Sequence, residues 1–243
     1  MAVVLVHGVP DTYRLWDPLR AHLERGDVIA LALPGFGTPL PSGFDATKEA
    51  YVNWVIREIE RIGAPVDLVG HDWGANLVQR AVSVRPDLVR TWACGSGVID
   101  TDYVWHDIAQ QWQTAGVGEQ LMDAFAADVM EEALVAARVP PHAARAAASH
   151  IDGTMKDCII RLYRSAVRIG TEWQPDLEKV TRPALILWGA DDPYGAVRYA
   201  ERLTARVHGQ LVVFQDCGHW WPLERPAETA AALQRFWATH ASP

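Results

Sequence analysis

The chain has 243 residues, of which 49% are hydrophobic and 21% charged, a composition typical of a globular protein with a sizeable core. Its formal net charge is -8 and it has no basic run, which argues against nucleic acid or an anionic membrane surface as a partner. Three scattered cysteines are too few for a disulfide framework, and neither a secretion leader nor a membrane-spanning apolar run is found, so we expect a cytoplasmic protein.

Short β-branched runs alternate with helical patterns along the chain. Buried strands are predicted at 2–8, 27–33, 66–70, 89–95, 183–189 and 210–216. Helices are predicted between them at about 14–25, 46–62, 74–85, 194–206 and 226–240. Near-continuous apolar strands in a βαβα order are typical of the α/β class, with a parallel sheet covered by helices on both faces.

This alternation is interrupted between the fourth and fifth predicted strands. The interrupting segment has no strand-like run but contains alanine-rich helical patterns at 118–139 and 141–151. We therefore predict an inserted helical cap at 98–174, and a core built from 1–97 and 175–243.

The segment "VGHDWGANLV" predicts a strand that enters a helix through a sharp turn. Gly70 and Gly74 let the backbone turn, and the helix that follows directs its N–H groups and positive dipole end at Asp72. An ionised aspartate at this apex can attack a saturated carbon and form an alkyl ester, which activated water then hydrolyses. The alternative at this point is an aspartate that only caps the helix.

Three other segments supply partners for such a nucleophile. His219 in "DCGHWWP" follows the last strand and is the candidate base, and "GADDPYG" offers Asp192 as its orienting acid, with Asp191 as the alternative. The "HGVP" turn after the first strand predicts an oxyanion hole formed by the backbone amides of Val9 and Trp73.

Taken together, the sharp turn at Asp72 (the nucleophile elbow), the acid, the histidine and the "HGVP" turn resemble the α/β-hydrolase superfamily over almost the whole chain. The Gly-His-Asp-Trp-Gly elbow is similar to that of the aspartate-nucleophile branch, which contains epoxide hydrolases and dehalogenases. Members commonly have two strands before the "HGVP" strand, so the resemblance implies a mostly parallel sheet shortened to about six strands. It also implies chemistry that needs neither a metal nor an organic cofactor.

The cap residues determine which member of the branch the chain resembles. A bacterial subgroup of epoxide hydrolases has a histidine early in the cap and a tyrosine in a Tyr-Arg pair late in it, which matches His106 and Tyr163 here. The resemblance thus implies that an epoxide is converted to a vicinal diol. A haloalkane-type dehalogenase is the alternative, with Trp73 and either Trp105 or Trp112 binding the halide. A catalytically silent ligand-binding protein of the same fold is the third hypothesis.

Aromatic residues near these segments predict an apolar substrate pocket. The candidates are Phe36, Trp105, Trp112 and Trp220. We expect the partners to be a small hydrophobic epoxide and water, without nucleic acid or membrane, and a homodimer stays open as the assembly state.

Overall fold

The computed structural model describes residues 2–63 and 65–240. In this part of the chain, six strands form one all-parallel sheet in the order β2-β1-β3-β4-β5-β6. The strands are β1 (Val3–Val6), β2 (Val28–Leu31), β3 (Val66–His71), β4 (Val89–Gly95), β5 (Ala184–Gly189) and β6 (Gln210–Phe214). The predicted α/β class and the strand count of about six are both confirmed.

Because all the strands are parallel, the loops at their carboxyl ends meet at one edge of the sheet. The loop after β1 holds the "HGVP" turn, β3 ends immediately before Asp72, and β5 is followed by Asp191 and Asp192. His219 lies in the loop that follows β6. The topology therefore brings the predicted site residues together at this edge of the sheet.

Twelve α-helices are found within the described residues. They are α1 (Asp17–Arg20), α2 (Lys48–Ile62), α3 (Trp73–Val84), α4 (Asp107–Gln113), α5 (Val117–Ala124), α6 (Ala127–Ala136), α7 (Pro141–Ala148), α8 (Gly153–Ser165), α9 (Ile169–Leu177), α10 (Val197–Arg206), α11 (Trp221–Glu224) and α12 (Pro226–Thr239). None of the described helices is long and apolar enough to cross a membrane.

The first predicted helix, 14–25, is wrong in length. The chain forms a 3-10 turn at Tyr13–Trp16 and then the short helix α1, because Pro18 has no N–H to continue a helical hydrogen-bond ladder. Arg25 is outside any helix, and its guanidinium donates to the carboxylate of Asp67 at the amino end of β3 at 2.7 Å.

Residues 98–174, which we call the cap segment, contain helices from α4 to most of α9 and no strand among their described residues. The pattern at 118–139, expected as one helical stretch, is divided into α5 and α6 by a break at Phe125 and Ala126. The division of the chain into a core and a cap domain stays a prediction.

The sheet separates two hydrophobic clusters. Alternate residues of β1 point to opposite faces, so that Val4 and Val6 pack in one cluster while Val3 and Leu5 pack in the other. The cluster around Val4 also includes the buried cap side chain Tyr163. The cap segment therefore packs into the same apolar cluster as this face of the sheet.

Candidate active site

Asp72 occupies a strained turn between β3 and α3. Its φ of 55° is in the left-handed region, which an aspartate adopts only where the surrounding structure imposes it. Gly74 allows the turn to pack against β1, since a Cβ at this position would lie 2.0 Å from the Val6 carbonyl oxygen. The Asp72 side chain makes no capping hydrogen bond to α3, so the helix-capping alternative does not describe this carboxylate.

The structure brings Asp72, His219 and Asp192 together. The His219 Nε2 atom lies 3.6 Å from Asp72 Oδ2, and on the other side of the ring Nδ1 lies 3.1 and 3.0 Å from the two carboxylate oxygens of Asp192. Asp191, the alternative acid, points away and binds Arg138 at 3.1 Å. Asp192 is the acid that contacts the histidine.

Opposing effects set the protonation of this trio. Burial by itself lowers the pKa of His219, but the carboxylates of Asp192 and Asp72 outweigh it and raise the pKa to about 10. Burial by itself raises the pKa of Asp192, yet the neighbouring His219 brings it below its ordinary value. The two carboxylates that flank the ring therefore favour its protonated form in the resting protein.

Two further histidines support the loops around this trio. His71 Nε2 donates to the backbone carbonyl of His219 at 2.9 Å, and His7 Nε2 accepts from the Leu33 amide at 3.2 Å. Burial is the main cause that lowers the pKa of His7 to about 4 and that of His71 to about 3. Both rings are thus neutral at pH 7 and act as fixed hydrogen-bonding groups.

The "HGVP" turn lies against the Asp72 carboxylate. The Val9 amide donates to Asp72 Oδ1 at 2.7 Å. A Cβ on Gly8 would lie 2.1 Å from the same oxygen and 2.6 Å from the Trp73 amide nitrogen, so only glycine lets the turn approach this closely. The two amides predicted to form the oxyanion hole therefore flank one small space beside Asp72.

A cavity of about 110 Å³ opens over Asp72 and His219. His106 and Tyr163 face it from the cap segment. Its other walls are mainly apolar and are formed by Val9, Pro10, Ile108, Trp112, Phe125, Met130, Ala133, Leu134, Ile159, Tyr194 and Trp220. Among the residues that the structure describes, no cluster of three or more metal-ligating side chains is found.

Three of the four aromatic residues predicted for the pocket are close to Asp72. Trp112 and Trp220 line the main cavity, and Trp105 lines a smaller cavity of about 20 Å³ on the other side of Asp72. The prediction for Phe36 is wrong. This side chain is fully buried in the core, where its ring packs against those of His7 and Tyr51.

His106 and Tyr163 are both set up as hydrogen-bond donors. His106 caps α4 by accepting the Ala109 amide at Nδ1 at 3.3 Å, and burial is the main cause that lowers its pKa. The neutral ring consequently carries its proton on Nε2. Burial and the nearby Asp72 carboxylate raise the pKa of Tyr163 well above its ordinary value, so its hydroxyl keeps its proton.

Sequence reasoning missed two residues at the site. Tyr194 lies with its ring centroid 4.9 Å from those of both His106 and His219, and its only sequence signal is its place two residues after Asp192. Asp11 follows the "HGVP" turn and accepts the Trp220 indole N–H at 3.0 Å. Burial raises the pKa of Asp11 to about 7, which no local pattern indicates.

Comparisons with known proteins show the family and the fold of this chain. The model of the alpha/beta hydrolase family matches residues 3–232. The (E)-2-((N-methylformamido)methylene)succinate hydrolase of Acinetobacter baylyi is 24% identical over 98% of this chain and 90% of its own.

Solved structures show the same fold at low identity. A haloalkane dehalogenase from Bradyrhizobium elkani superposes with a TM-score of 0.79 at 20% identity, over 98% of this chain and 91% of its own. A meta-cleavage product hydrolase from Pseudomonas fluorescens superposes with a TM-score of 0.78, also at 20% identity, over 98% and 92% of the two chains. These neighbours carry different activities on one architecture.

Proposed function

We propose that this chain, which belongs to the alpha/beta hydrolase family and is a hydrolase, opens an uncharged epoxide to a vicinal diol through an alkyl ester on Asp72. One observation carries the proposal. A single cavity has a carboxylate and a histidine on its core side and two protonated donors, His106 and Tyr163, on the facing side. An epoxide needs both, since its carbon must be attacked while its oxygen receives a proton.

In the first step, Asp72 Oδ2 attacks an epoxide carbon. Its lone pair forms the new C–O bond while the ring C–O bond breaks and its electrons pass to the ring oxygen. That oxygen takes a proton from Tyr163 or from Nε2 of His106. The other carboxylate oxygen, Oδ1, is held by the Val9 amide and becomes the carbonyl oxygen of the ester.

In the second step, water hydrolyses the ester. Esterification removes the negative charge of Asp72, one of the causes that raise the pKa of His219. The pKa of the ring therefore falls, and its proton passes to the cap donor, Tyr163 or His106, that protonated the ring oxygen. The neutral imidazole then takes a proton from the attacking water. Asp192 stabilises the imidazolium that forms, and the tetrahedral oxyanion is stabilised by the Val9 and Trp73 amides. The bond between the former carboxyl carbon and the alkoxy oxygen then breaks, and the leaving alkoxide takes the proton of His219 to complete the diol. The Asp72 carboxylic acid returns a proton to His219, which restores the resting state.

The cavity favours uncharged substrates. No lysine or arginine is among its lining residues, whereas the Asp72 carboxylate is, and Asp192 and Asp11 contact the lining side chains of His219 and Trp220. The His219 ring, which the cavity also exposes, is already paired with Asp72 and Asp192. A substrate carboxylate would therefore enter without a free counter-ion and beside negative charge, which is unfavourable in a buried site. Succinate derivatives such as the one in the name of the Acinetobacter relative are therefore poor candidates here.

A haloalkane dehalogenase is the second candidate function, and one observation favours it. The buried indole N–H of Trp73 makes no well-formed hydrogen bond within the described residues, although it interacts with the neighbouring Tyr163 hydroxyl. The ring lies beside Asp72 and stacks on Trp105 with centroids 5.9 Å apart. A departing halide would be stabilised by such a donor, although His106 and Tyr163 would then have no role in the chemistry.

The first experiment compares epoxides with bromoalkanes. Purified protein is incubated with styrene oxide and with 1-bromohexane, and diol and bromide are quantified. We expect diol from the epoxide and no bromide. Bromide release without diol formation would favour the haloalkane dehalogenase over the epoxide hydrolase. Inactivity on both substrates would favour a ligand-binding protein.

The second experiment traps the intermediate. Asp72→Asn should abolish diol formation, because the amide is not a nucleophile. His219→Gln should let the ester accumulate as a mass increase on the peptide that contains Asp72. Diol formation by Asp72→Asn at the wild-type rate would contradict the assignment.

A further inference from the structure

Arg138 extends from the cap segment to the loops that carry Asp192 and His219, which form the catalytic triad of the proposed function together with Asp72. It follows the end of α6 with a φ of 75°, where its own amide donates to Val135 and the next amide donates to Leu134. This left-handed turn ends the helix and directs the arginine side chain out of the cap segment and onto the core.

The guanidinium group contacts three separate core segments. Nη1 lies 3.1 Å from Asp191 Oδ2, Nη2 donates to the Asp216 carbonyl at 2.7 Å, and Nε lies 3.2 Å from Glu224 Oε2. Asp191 immediately precedes the triad acid, and Asp216 lies three residues before the triad histidine.

Glu224 extends this connection to the histidine loop. Its carboxylate accepts the Gly218 amide at 3.0 and 3.1 Å through its two oxygens. Gly218 directly precedes His219, so the position of the histidine backbone depends on a carboxylate that Arg138 holds in place.

An exposed ion pair normally contributes little, but this arrangement differs in two ways. Arg138 uses several donors of a rigid fork at once, and the Glu224 side chain is only 9% exposed. Arg225 also donates to the Asp216 carbonyl at 3.0 Å, so the contacts that Arg138 alone makes are those to Asp191 and Glu224.

The same helix forms part of the cavity wall. Met130, Ala133 and Leu134 of α6 line the cavity over Asp72. Arg138 therefore joins the wall that contacts substrate to the two loops that orient the base, while the elbow that carries Asp72 is not among its contacts.

We propose that Arg138 is a positioning residue that holds the loops carrying Asp192 and His219 in the relative position that ester hydrolysis requires. The inference rests on the proposed two-step function. It requires that loss of Arg138 slows the step that uses His219 and leaves the attack by Asp72 unchanged.

The test compares Arg138→Met with Arg145→Met on styrene oxide. Arg145 is the matched control, because it pairs with Glu131 at 3.1 Å inside the cap segment and is highly exposed. When hydrolysis alone is slowed, kcat and KM fall together and kcat/KM is unchanged.

For Arg138→Met we expect kcat to fall roughly tenfold with constant kcat/KM. The esterified fraction of the Asp72 peptide at steady state should rise. The kcat of Arg138→Lys should lie between those of the wild type and Arg138→Met, since an ammonium group lacks the planar set of donors of a guanidinium. The kcat of Arg145→Met should match that of the wild type. A fall in kcat/KM equal to the fall in kcat, or an unchanged kcat, would overturn the proposal.

A second measurement separates this inference from the proposed function. Hydrogen exchange of the Gly218 amide should accelerate about tenfold in Arg138→Met and not in Arg145→Met. The Ala75 amide, which donates to the Asp72 carbonyl at 2.9 Å, should be unaffected. If the wild type acts on neither styrene oxide nor 1-bromohexane, the proposed function fails while this exchange test still applies. An unchanged exchange rate of the Gly218 amide in Arg138→Met would refute the role of Arg138.

Discussion

Two carboxylates face His219 from opposite sides, and their different surroundings suit different roles. The Asp192 side chain is fully buried and contacts His219 through both oxygens, whereas the Asp72 side chain is 17% exposed and faces the cavity. At the scale of the single residue, burial separates a carboxylate that orients a base from one that is free to react.

The role of Tyr163 is tested by removing one oxygen atom. Tyr163→Phe should lower kcat/KM for styrene oxide by roughly 10²-fold, because the developing alkoxide loses a preorganised donor. Initial rates of diol formation measure this change.

Tyr51→Phe is the matched control for that variant. The Tyr51 hydroxyl is buried in the core and donates to the Pro34 carbonyl at 2.8 Å, away from the cavity. This variant should lose about 1–3 kcal/mol of unfolding free energy and keep its kcat/KM. Equal kcat/KM for Tyr163→Phe and the wild type would leave Tyr163 with a packing role only.

At the scale of the element, the position of Asp72 depends on how closely α3 approaches the sheet. The helix begins at Trp73, one residue after the strained Asp72, and its first turn lies against the end of β1. The backbone thus stores strain at the proposed nucleophile, and packing of α3 against β1, β3 and β4 holds it there.

Gly74→Ala tests this approach. The added Cβ would lie 2.0 Å from the Val6 carbonyl oxygen, so the helix must move away from β1. We expect a loss of roughly 3 kcal/mol or more in the unfolding free energy, measured by urea denaturation.

Gly153→Ala is the control, because a Cβ at the first residue of α8 would meet nothing within 4 Å. It should be neutral or stabilise the protein by up to about 1 kcal/mol. Similar stabilities for the two variants would show that α3 tolerates displacement.

At the scale of the whole molecule, buried titratable groups make stability depend on pH. His7 and His71 have lowered pKa values, so the unfolded chain binds more protons below about pH 6.5 and acid destabilises the fold. The raised pKa of His219 has the opposite effect, and the stability it contributes is lost as the pH rises from about 6.5 to 10.

Asp11→Asn isolates a third contribution. The pKa of Asp11 is about 7 in the folded protein and close to 4 when unfolded, so between these values the unfolded chain binds fewer protons and stability falls as the pH rises. The asparagine variant lacks this loss. Its unfolding free energy relative to the wild type should therefore increase by up to about 4 kcal/mol between pH 4 and 8.

Urea denaturation of both proteins across this range measures the difference. The contributions of His7 and His71 are common to both proteins and cancel, whereas the interaction of His219 with Asp11 is part of the measured difference. A difference that does not change with pH would mean that Asp11 titrates normally in the fold.

The sequence by itself determined the α/β class and the positions of the six strands along the chain, and it located Asp72, the proposed nucleophile, at a strand-to-helix turn. These features are local: apolar runs mark buried strands, and Asp72 is adjacent to the glycines and helix start that give it its environment. The predicted site residues at strand ends also met as expected, since parallel strands end at one edge of a sheet.

Only the tertiary structure decided how neighbouring side chains divide their roles. Asp191 and Asp192 are equivalent in a sequence pattern, yet successive side chains of the loop point apart, so one binds Arg138 and the other His219. The sequence likewise did not indicate that Phe36 is buried in the core or that Tyr194 lies between two histidines. Each depends on contacts between residues far apart in the chain, which no local pattern encodes.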